Sequence, residues 1–374
     1  MNSDFLDRKL QERFSRNAYR RLQLAEGKHD FFSNDYLGIS KNGLIEAALE
    51  GTSFSPGSTG SRLLAGNYAL MEETENRIAE FHQSPSALIF NSGYDANLGL
   101  LASVADRGDT ILYDKLSHAS IRDGIRLSLA EAFSFQHNSP GDLEKKLQKK
   151  KGNCFVVTES VFSMDGDQAP LAELVPLCER FGAHLIVDEA HATGVIGGRG
   201  EGLVQLEGLQ QRCFARVHTF GKALGCHGAA VLGSEMLRNY LINFSRPFIY
   251  TTALPPSAVA AIRASYEIFP GLNPERRQLA QLISSVQKNR SVHTPSGDLY
   301  FKNSGTPIQC LLIPGNEKVK AVANHLAQLN MEVRPILYPT VPEGEERLRI
   351  ALHSYNTPEE VQELISGLNI RVRS

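Results

Sequence analysis

Five short runs of apolar and β-branched residues recur through the middle of the chain, at Ala87–Phe90, Thr110–Tyr113, Cys154–Thr158, His184–Val187 and Arg216–Thr219. Stretches with helical periodicity lie between them, at Leu70–Phe81, Ala119–Ala130, Leu143–Lys150 and Leu171–Phe181. Short strands separated by helical runs of roughly 10–15 residues spell β-α-β units. Strands that are apolar throughout, without alternation, are covered on both faces, as in a parallel sheet. The pattern predicts an α/β domain over 42–270 with a mostly parallel central sheet. After Pro270 the order changes to strand (Pro307–Ile313), helix (Val319–Leu329), strands (Met331–Arg334 and Arg347–Leu352) and helix (Pro358–Leu368). This predicts a smaller α+β domain over 271–374. Residues 1–41 read as an N-terminal arm. In it, Phe5, Leu6, Leu10 and Phe14 recur at helical spacing, which predicts an amphipathic helix lying on another surface.

Composition narrows the function classes. The 374 residues carry 39 Lys and Arg against 41 Asp and Glu, a net charge of −2. A nucleic-acid binder acting through bulk positive charge is thereby excluded. The basic run Lys145–Lys151 closes a helical stretch, where cations oppose the negative end of the helix dipole. No apolar run is long enough to span a membrane. The N-terminus lacks the apolar core of a signal peptide, so a cytoplasmic location is expected. The five cysteines, at 154, 178, 213, 226 and 310, form no Cys-x-x-Cys, so neither a disulfide framework nor a metal site is expected.

Several motifs are absent. There is no Gly-x-Ser-x-Gly elbow, no His-Glu-x-x-His and no Gly-x-Gly-x-x-Gly. Asp188-Glu-Ala-His191 spells a helicase box, but Lys222 is followed by Ala223, so no phosphate-binding loop accompanies it. In context Asp188 sits at the C-terminal end of an apolar strand, the edge where open α/β sheets bind ligands. A carboxylate buried there wants a cationic partner, and His191 can turn back to the same place. Lys222 also follows a strand, between Gly221 and Gly225. A lone Lys after a strand is usually solvated, but an Asp and a Lys at one sheet edge, each after a strand, is a less common pairing.

Here a resemblance becomes specific. Thr219-Phe-Gly-Lys222 resembles the Schiff-base lysine motif of fold-type I pyridoxal-phosphate enzymes, and Asp188-Glu-Ala-His191 resembles their pyridinium-binding Asp with its companion His. Four further stretches are similar to the α-oxoamine synthases within that group: Asn34–Gly38, Ser92–Asn97, Ser117–Ser120 and Glu159–Gly166. The match runs from about residue 30 to the C-terminus. It implies an aminotransferase-like fold and bound pyridoxal 5'-phosphate, an electron sink. By resemblance Lys222 carries the cofactor and then acts as base, Asp188 keeps its ring nitrogen protonated, and His118 stacks on its face. His191 and Ser163 contact the ring oxygen and its surroundings, and Gly93, Tyr94 and Thr219 receive the phosphate. Thr251 and Thr252 stand where the family's partner subunit reaches the phosphate, which implies a homodimer.

Arg349 and Asn34 should grip the substrate carboxylate, since a guanidinium offers a bidentate fork. An exposed strand-edge charge is the plain reading for Arg347. The family condenses an amino acid with an acyl thioester on coenzyme A or a carrier protein. The chain's short length and Tyr338-Pro-Thr-Val-Pro342 favour its biotin-synthesis member, which joins L-alanine to a pimeloyl thioester. Thr340 then lines the acyl site and Arg20 meets the substrate. Leu337 departs from the Arg common at that place, and Asp95-Ala-Asn97 echoes glycine C-acetyltransferase. That enzyme, a serine palmitoyltransferase-like enzyme and a silent regulatory subunit are the alternatives, and the presence of Lys222 speaks against the last.

Overall fold

The computed structural model describes residues 3–22, 24, 27–289, 291–292 and 299–371. Contacts divide them into two units, one of residues 37–163 and 168–276, the other of residues 1–36, 164–167 and 277–374. Met1, Asn2, Gln23, Ala25 and Glu26 of the expected arm lie outside the described residues.

The larger unit is built on a seven-stranded sheet in the order Ser86–Phe90, Ala229–Gly233, Ala215–Thr219, His184–Asp188, Cys154–Glu159, Thr110–Asp114, Glu131–Phe135. Among the described residues, four of its six pairings are parallel and the two made by Ala229–Gly233 are antiparallel. All five apolar runs are strands here. The central ones are buried throughout, as their unbroken hydrophobicity requires. Leu88, Phe90, Ile111, Phe155, Val157, Ile186, Val217 and Val231 form one core with Leu100, Leu101, Ile121 and Ile125 of the covering helices. Those helices, Gly93–Val104 and Ala119–Leu127, approach closely at Gly124, where a Cβ would stand 2.9 Å from the Asn97 carbonyl oxygen.

Two strands of this sheet escaped the sequence analysis. Glu131–Phe135 is an edge strand with an exposed, polar start. The helix expected over 119–130 stops at Leu127, and the chain turns into that strand. Ala229–Gly233 is rich in small residues with weak strand preference. Helix starts are fixed by Ser92, Ser139 and Ser234, whose hydroxyls accept backbone N–H bonds from the residue three further on.

In the smaller unit, Ile308–Leu312 and Arg334–Ile336 flank Arg347–Ala351 antiparallel, with helices Asn316–Gln328 and Pro358–Arg371. The arm belongs to this unit through Tyr36, because His29–Asp30 adds a short parallel pairing to Met331–Glu332. The expected amphipathic helix forms over Asp4–Ser15, but none of its residues is buried. Phe5, Leu6 and Leu10 of its apolar face are exposed, and Phe14 meets the Tyr19 ring edge-on. Residues 164–167 also belong to this unit. Ser304 and Thr306 each donate a hydroxyl to the Gly166 carbonyl at 2.9 Å. Gly166 has φ +75, and a Cβ there would collide with the Ile308 carbonyl oxygen at 2.2 Å.

Asp165 accepts from Lys302 at 2.9 Å and pairs with Arg347. Arg347 is not an exposed edge charge: it is 2% exposed. Residues two apart in a strand share a face, so Arg347 goes inward together with Arg349. Removing one member of a buried pair costs about 3–5 kcal/mol. Asp165→Ala should therefore lower the urea midpoint sharply. Glu267→Ala, which breaks the exposed Arg77–Glu267 pair, should cost below about 1 kcal/mol. Equal shifts in the two variants would contradict this account.

Candidate active site

Three neighbouring strands of the larger sheet end at Glu159, Asp188 and Thr219, with Glu159 opposite Asp188 in register and Asp188 opposite Val217. Asp188 is 6% exposed. Its Oδ1 accepts the Ala190 N–H at 2.9 Å and its Oδ2 accepts from Asn97 Nδ2 at 2.7 Å. These two donors hold the carboxylate in place at the sheet edge. The Ala192 and Thr193 N–H groups bond back to the Glu189 carbonyl. That turn brings the His191 Nε2 to 2.8 Å from the Lys222 Nζ. Lys222 itself stands in a tight loop closed by Gly225 N–H to the Lys222 carbonyl at 2.9 Å. Gly225 adopts φ +65, and a Cβ there would meet the Ser40 nitrogen at 2.7 Å.

His118 is the N-cap of Ala119–Leu127, an unusual residue for that place, and its ring accepts the Ser120 N–H. Its own N–H donates to Glu159 Oε1 at 2.6 Å. Desolvation pushes the His118 imidazole below its ordinary value, opposed by Asp188 and assisted by Lys222. Burial, and next the charge of Asp188, push Glu159 up to about 8.

The start of helix Gly93–Val104 lies beside Thr219, whose Oγ1 is 3.4 Å from where a Gly93 Cβ would stand. The first-turn amides of a helix lack intrahelical acceptors and suit an anion. Tyr94 follows Gly93 but turns its hydroxyl to Asp123, which raises its pKa. Ser163 is half-buried beyond the Cys154–Glu159 strand. Asn91 Nδ2 donates to Thr251 Oγ1 at 3.3 Å and to the Thr252 carbonyl at 2.8 Å.

In the smaller unit, Arg349 Nη2 donates to Asn34 Oδ1 at 3.0 Å and to the Tyr36 hydroxyl at 3.4 Å. Arg20 Nη2 donates to Thr340 Oγ1 at 3.1 Å. An open cleft of about 990 Å³ is lined by Arg20, Arg21, Lys28, Lys320 and Arg334 along with Leu337. Sequence reasoning missed Asn97, Ser120, Glu159 and Tyr36 as members of these groups. All four stand inside the stretches Ser92–Asn97, Ser117–Ser120, Glu159–Gly166 and Asn34–Gly38, so the signal was present. Among the described residues, no three His, Cys, Asp or Glu side chains are arranged to hold a metal.

The model of the family described as aminotransferase class I and II matches residues 26–368. An 8-amino-7-oxononanoate synthase from Emericella nidulans is 42% identical over 98% of this chain and 94% of its own length. The fold is similar to that of a serine palmitoyltransferase from S. paucimobilis solved with PLP and myriocin bound, at TM-score 0.86 and 27% identity over 98% of this chain and 96% of that one. It is also similar to an 8-amino-7-oxononanoate synthase from Francisella tularensis, at TM-score 0.76 and 29% identity over 93% of this chain and 98% of that one.

Pyridoxal 5'-phosphate is the cofactor of such a chain, and the residues present fit it. The larger unit offers an amine at Lys222 in contact with His191, a buried carboxylate at Asp188, and a helix start beside the Thr219 hydroxyl.

Glu159 gives a pH prediction. Its carboxyl is raised from 4.5 to about 8 in the folded chain. The neutral form is thus favoured by folding, and its stabilisation is complete below about pH 4.5 and lost as pH rises through about 8. Thermal unfolding of the cofactor-free protein should show this decline in the wild type. Glu159→Gln, whose amide oxygen can still accept the His118 N–H, should flatten it. Parallel curves for the two proteins would contradict the assignment.

Proposed function

The chain belongs to the aminotransferase class I and II family, and on that footing we propose that it condenses L-alanine with a pimeloyl thioester to give 8-amino-7-oxononanoate, releasing carbon dioxide and the thiol carrier, in biotin synthesis. It is a pyridoxal-phosphate-dependent acyltransferase of the α-oxoamine synthase kind. The observation that carries the proposal is the meeting of Lys222, His191 and Asp188 on adjoining strand ends, in a chain whose curated relatives bear that activity in their names.

Pyridoxal phosphate supplies an electron sink for the pair of electrons left on the amino-acid α-carbon. Lys222 is the residue to hold the cofactor and then to take the α-proton. Asp188 keeps a proton on the ring nitrogen by charge pairing, and its two donors, Asn97 and Ala190, keep it oriented. His191 and Ser163 serve the ring oxygen, and His118 the ring face. Gly93, Tyr94 and Thr219 hold the phosphate, Tyr94 through its main chain, since its hydroxyl is engaged by Asp123. Arg349, steadied by Asn34 and Tyr36, reads the carboxylate of L-alanine.

For the acyl partner, Arg20 and Thr340 are already joined by a hydrogen bond. Arg20 and Arg21 line the same cleft as Leu337, so cations are present to meet the distal carboxylate of a pimeloyl chain, which an acetyl or palmitoyl group lacks. The donor is the coenzyme A or carrier-protein thioester. A homodimer, completed at the phosphate by Thr251 and Thr252 of the second copy, accords with the uncovered apolar face of the Asp4–Ser15 helix. Five free thiols, three of them buried, accord with a reducing cytoplasm.

The test is a panel of glycine, alanine and serine against acetyl-, succinyl-, pimeloyl- and palmitoyl-CoA. L-Alanine with pimeloyl-CoA should give the highest kcat/KM, and preference for glycine with acetyl-CoA would overturn the proposal. Arg20→Ala should raise the KM for the pimeloyl donor more than it lowers kcat. Arg349→Lys loses the planar fork and should cut kcat/KM for alanine by about 10- to 100-fold, the worth of a charge-assisted hydrogen bond. Lys222→Ala should abolish turnover and the visible absorbance of the lysine-bound cofactor while leaving the chain folded.

A further inference from the structure

The polar groups between Asp188 and His118 form one connected set of hydrogen bonds. Asp188 Oδ2 is an acceptor, so the Asn97 side chain must present its NH₂ to it, at 2.7 Å. The same nitrogen has a second hydrogen, and Ser120 Oγ lies 3.1 Å away to accept it. The Ser120 oxygen also lies 2.8 Å from His118 Nδ1, where its hydroxyl hydrogen is the donor once Nδ1 is an acceptor. The Ser120 backbone N–H donates to the same Nδ1 at 3.2 Å, as the helix cap requires. Asn97, Ser120 and Asp188 are all buried, so no water replaces a link.

We propose that Asn97 and Ser120 are positioning residues: Asp188 fixes the Asn97 amide, Asn97 fixes the Ser120 oxygen, and the Ser120 hydroxyl and main-chain N–H are both aimed at His118 Nδ1, holding the imidazole neutral with its single proton on Nε2. Two donors converge on Nδ1, and the main-chain N–H, which cannot reverse its role, conflicts with a proton there. An imidazolium would set the Ser120 N–H against a second N–H and break the cap. Besides Asp188, the charges around the imidazole are Lys222 and Asp123. Glu159 meets only its main chain. The consequence for chemistry rests on the placement of His118 at the cofactor ring proposed above. A neutral imidazole can lie against a ring that Asp188 keeps cationic, where an imidazolium would be repelled. Its one N–H, on Nε2, is then the donor His118 can offer to a substrate oxygen.

The test is the long-range ¹H–¹⁵N spectrum of histidine-labelled protein, cofactor-free and cofactor-loaded, with the His118 signals identified by their loss in His118→Asn. At neutral pH, Nδ1 should be unprotonated and Nε2 protonated in both states. Ser120→Ala and Asn97→Ala should each admit some of the Nδ1–H tautomer. Ser120→Ala should also raise the imidazole pKa by about half a unit to one unit, since it removes a donor that favours the neutral ring. Ser120→Thr, which restores the hydroxyl, should return the pKa toward the wild-type value. An Nδ1–H tautomer or an imidazolium in the wild type would overturn the proposal, as would unchanged spectra in both folded alanine variants. The wild-type spectrum decides even where a variant does not fold. It involves no substrate, so failure of the alanine–pimeloyl reading would leave this result standing.

Discussion

A single carboxylate, that of Asp188, organises the larger unit's chemistry. It ends a buried parallel strand, where the desolvation of an unpartnered charge would cost several kcal/mol. The fold offsets that cost with two donors from different elements, the Ala190 amide just beyond the strand and the Asn97 amide on helix Gly93–Val104. Burial, and next the charge of Asp188 beside it, drive Glu159 toward its neutral form, in which it anchors the His118 main-chain N–H.

The helices set the placement of these groups as much as the strands do. Helices Gly93–Val104 and Ala119–Leu127 carry Asn97 and Ser120 respectively, and those side chains touch because Gly124 lets the two backbones approach. A serine cap starts the first helix and a histidine cap starts the second. A capping residue ordinarily stabilises only its own helix. Here the second cap also fixes a ring nitrogen, so local helix chemistry and site chemistry share one residue.

The smaller unit treats charge differently. Arg347 is buried against Asp165 and Lys302 lies on the same carboxylate. Two residues further along the strand, Arg349 donates to the Asn34 amide oxygen and to the Tyr36 hydroxyl, which orient its guanidinium. The arm supplies both partners, and its pairing to Met331–Glu332 holds it there.

The periodicity of the chain determined its α/β character and the positions of five strands, because burial on both faces demands unbroken apolar runs. The placement of Asp188 and Lys222 just past two of those runs was legible for the same reason. Glu131–Phe135 and Ala229–Gly233 were hidden, since an exposed edge and small side chains leave no such pattern. Residues 164–167 read as part of one motif with Ser163, yet their bonds are to Ser304, Thr306 and Arg347. Pairing over more than 130 residues of sequence separation leaves no local trace. The roles of Asn97, Ser120 and Glu159 likewise depended on tertiary structure. Propensity and spacing set which residues enter a helix or strand, but a hydrogen bond between elements depends on their relative rotation and approach, and only the packed core fixes those.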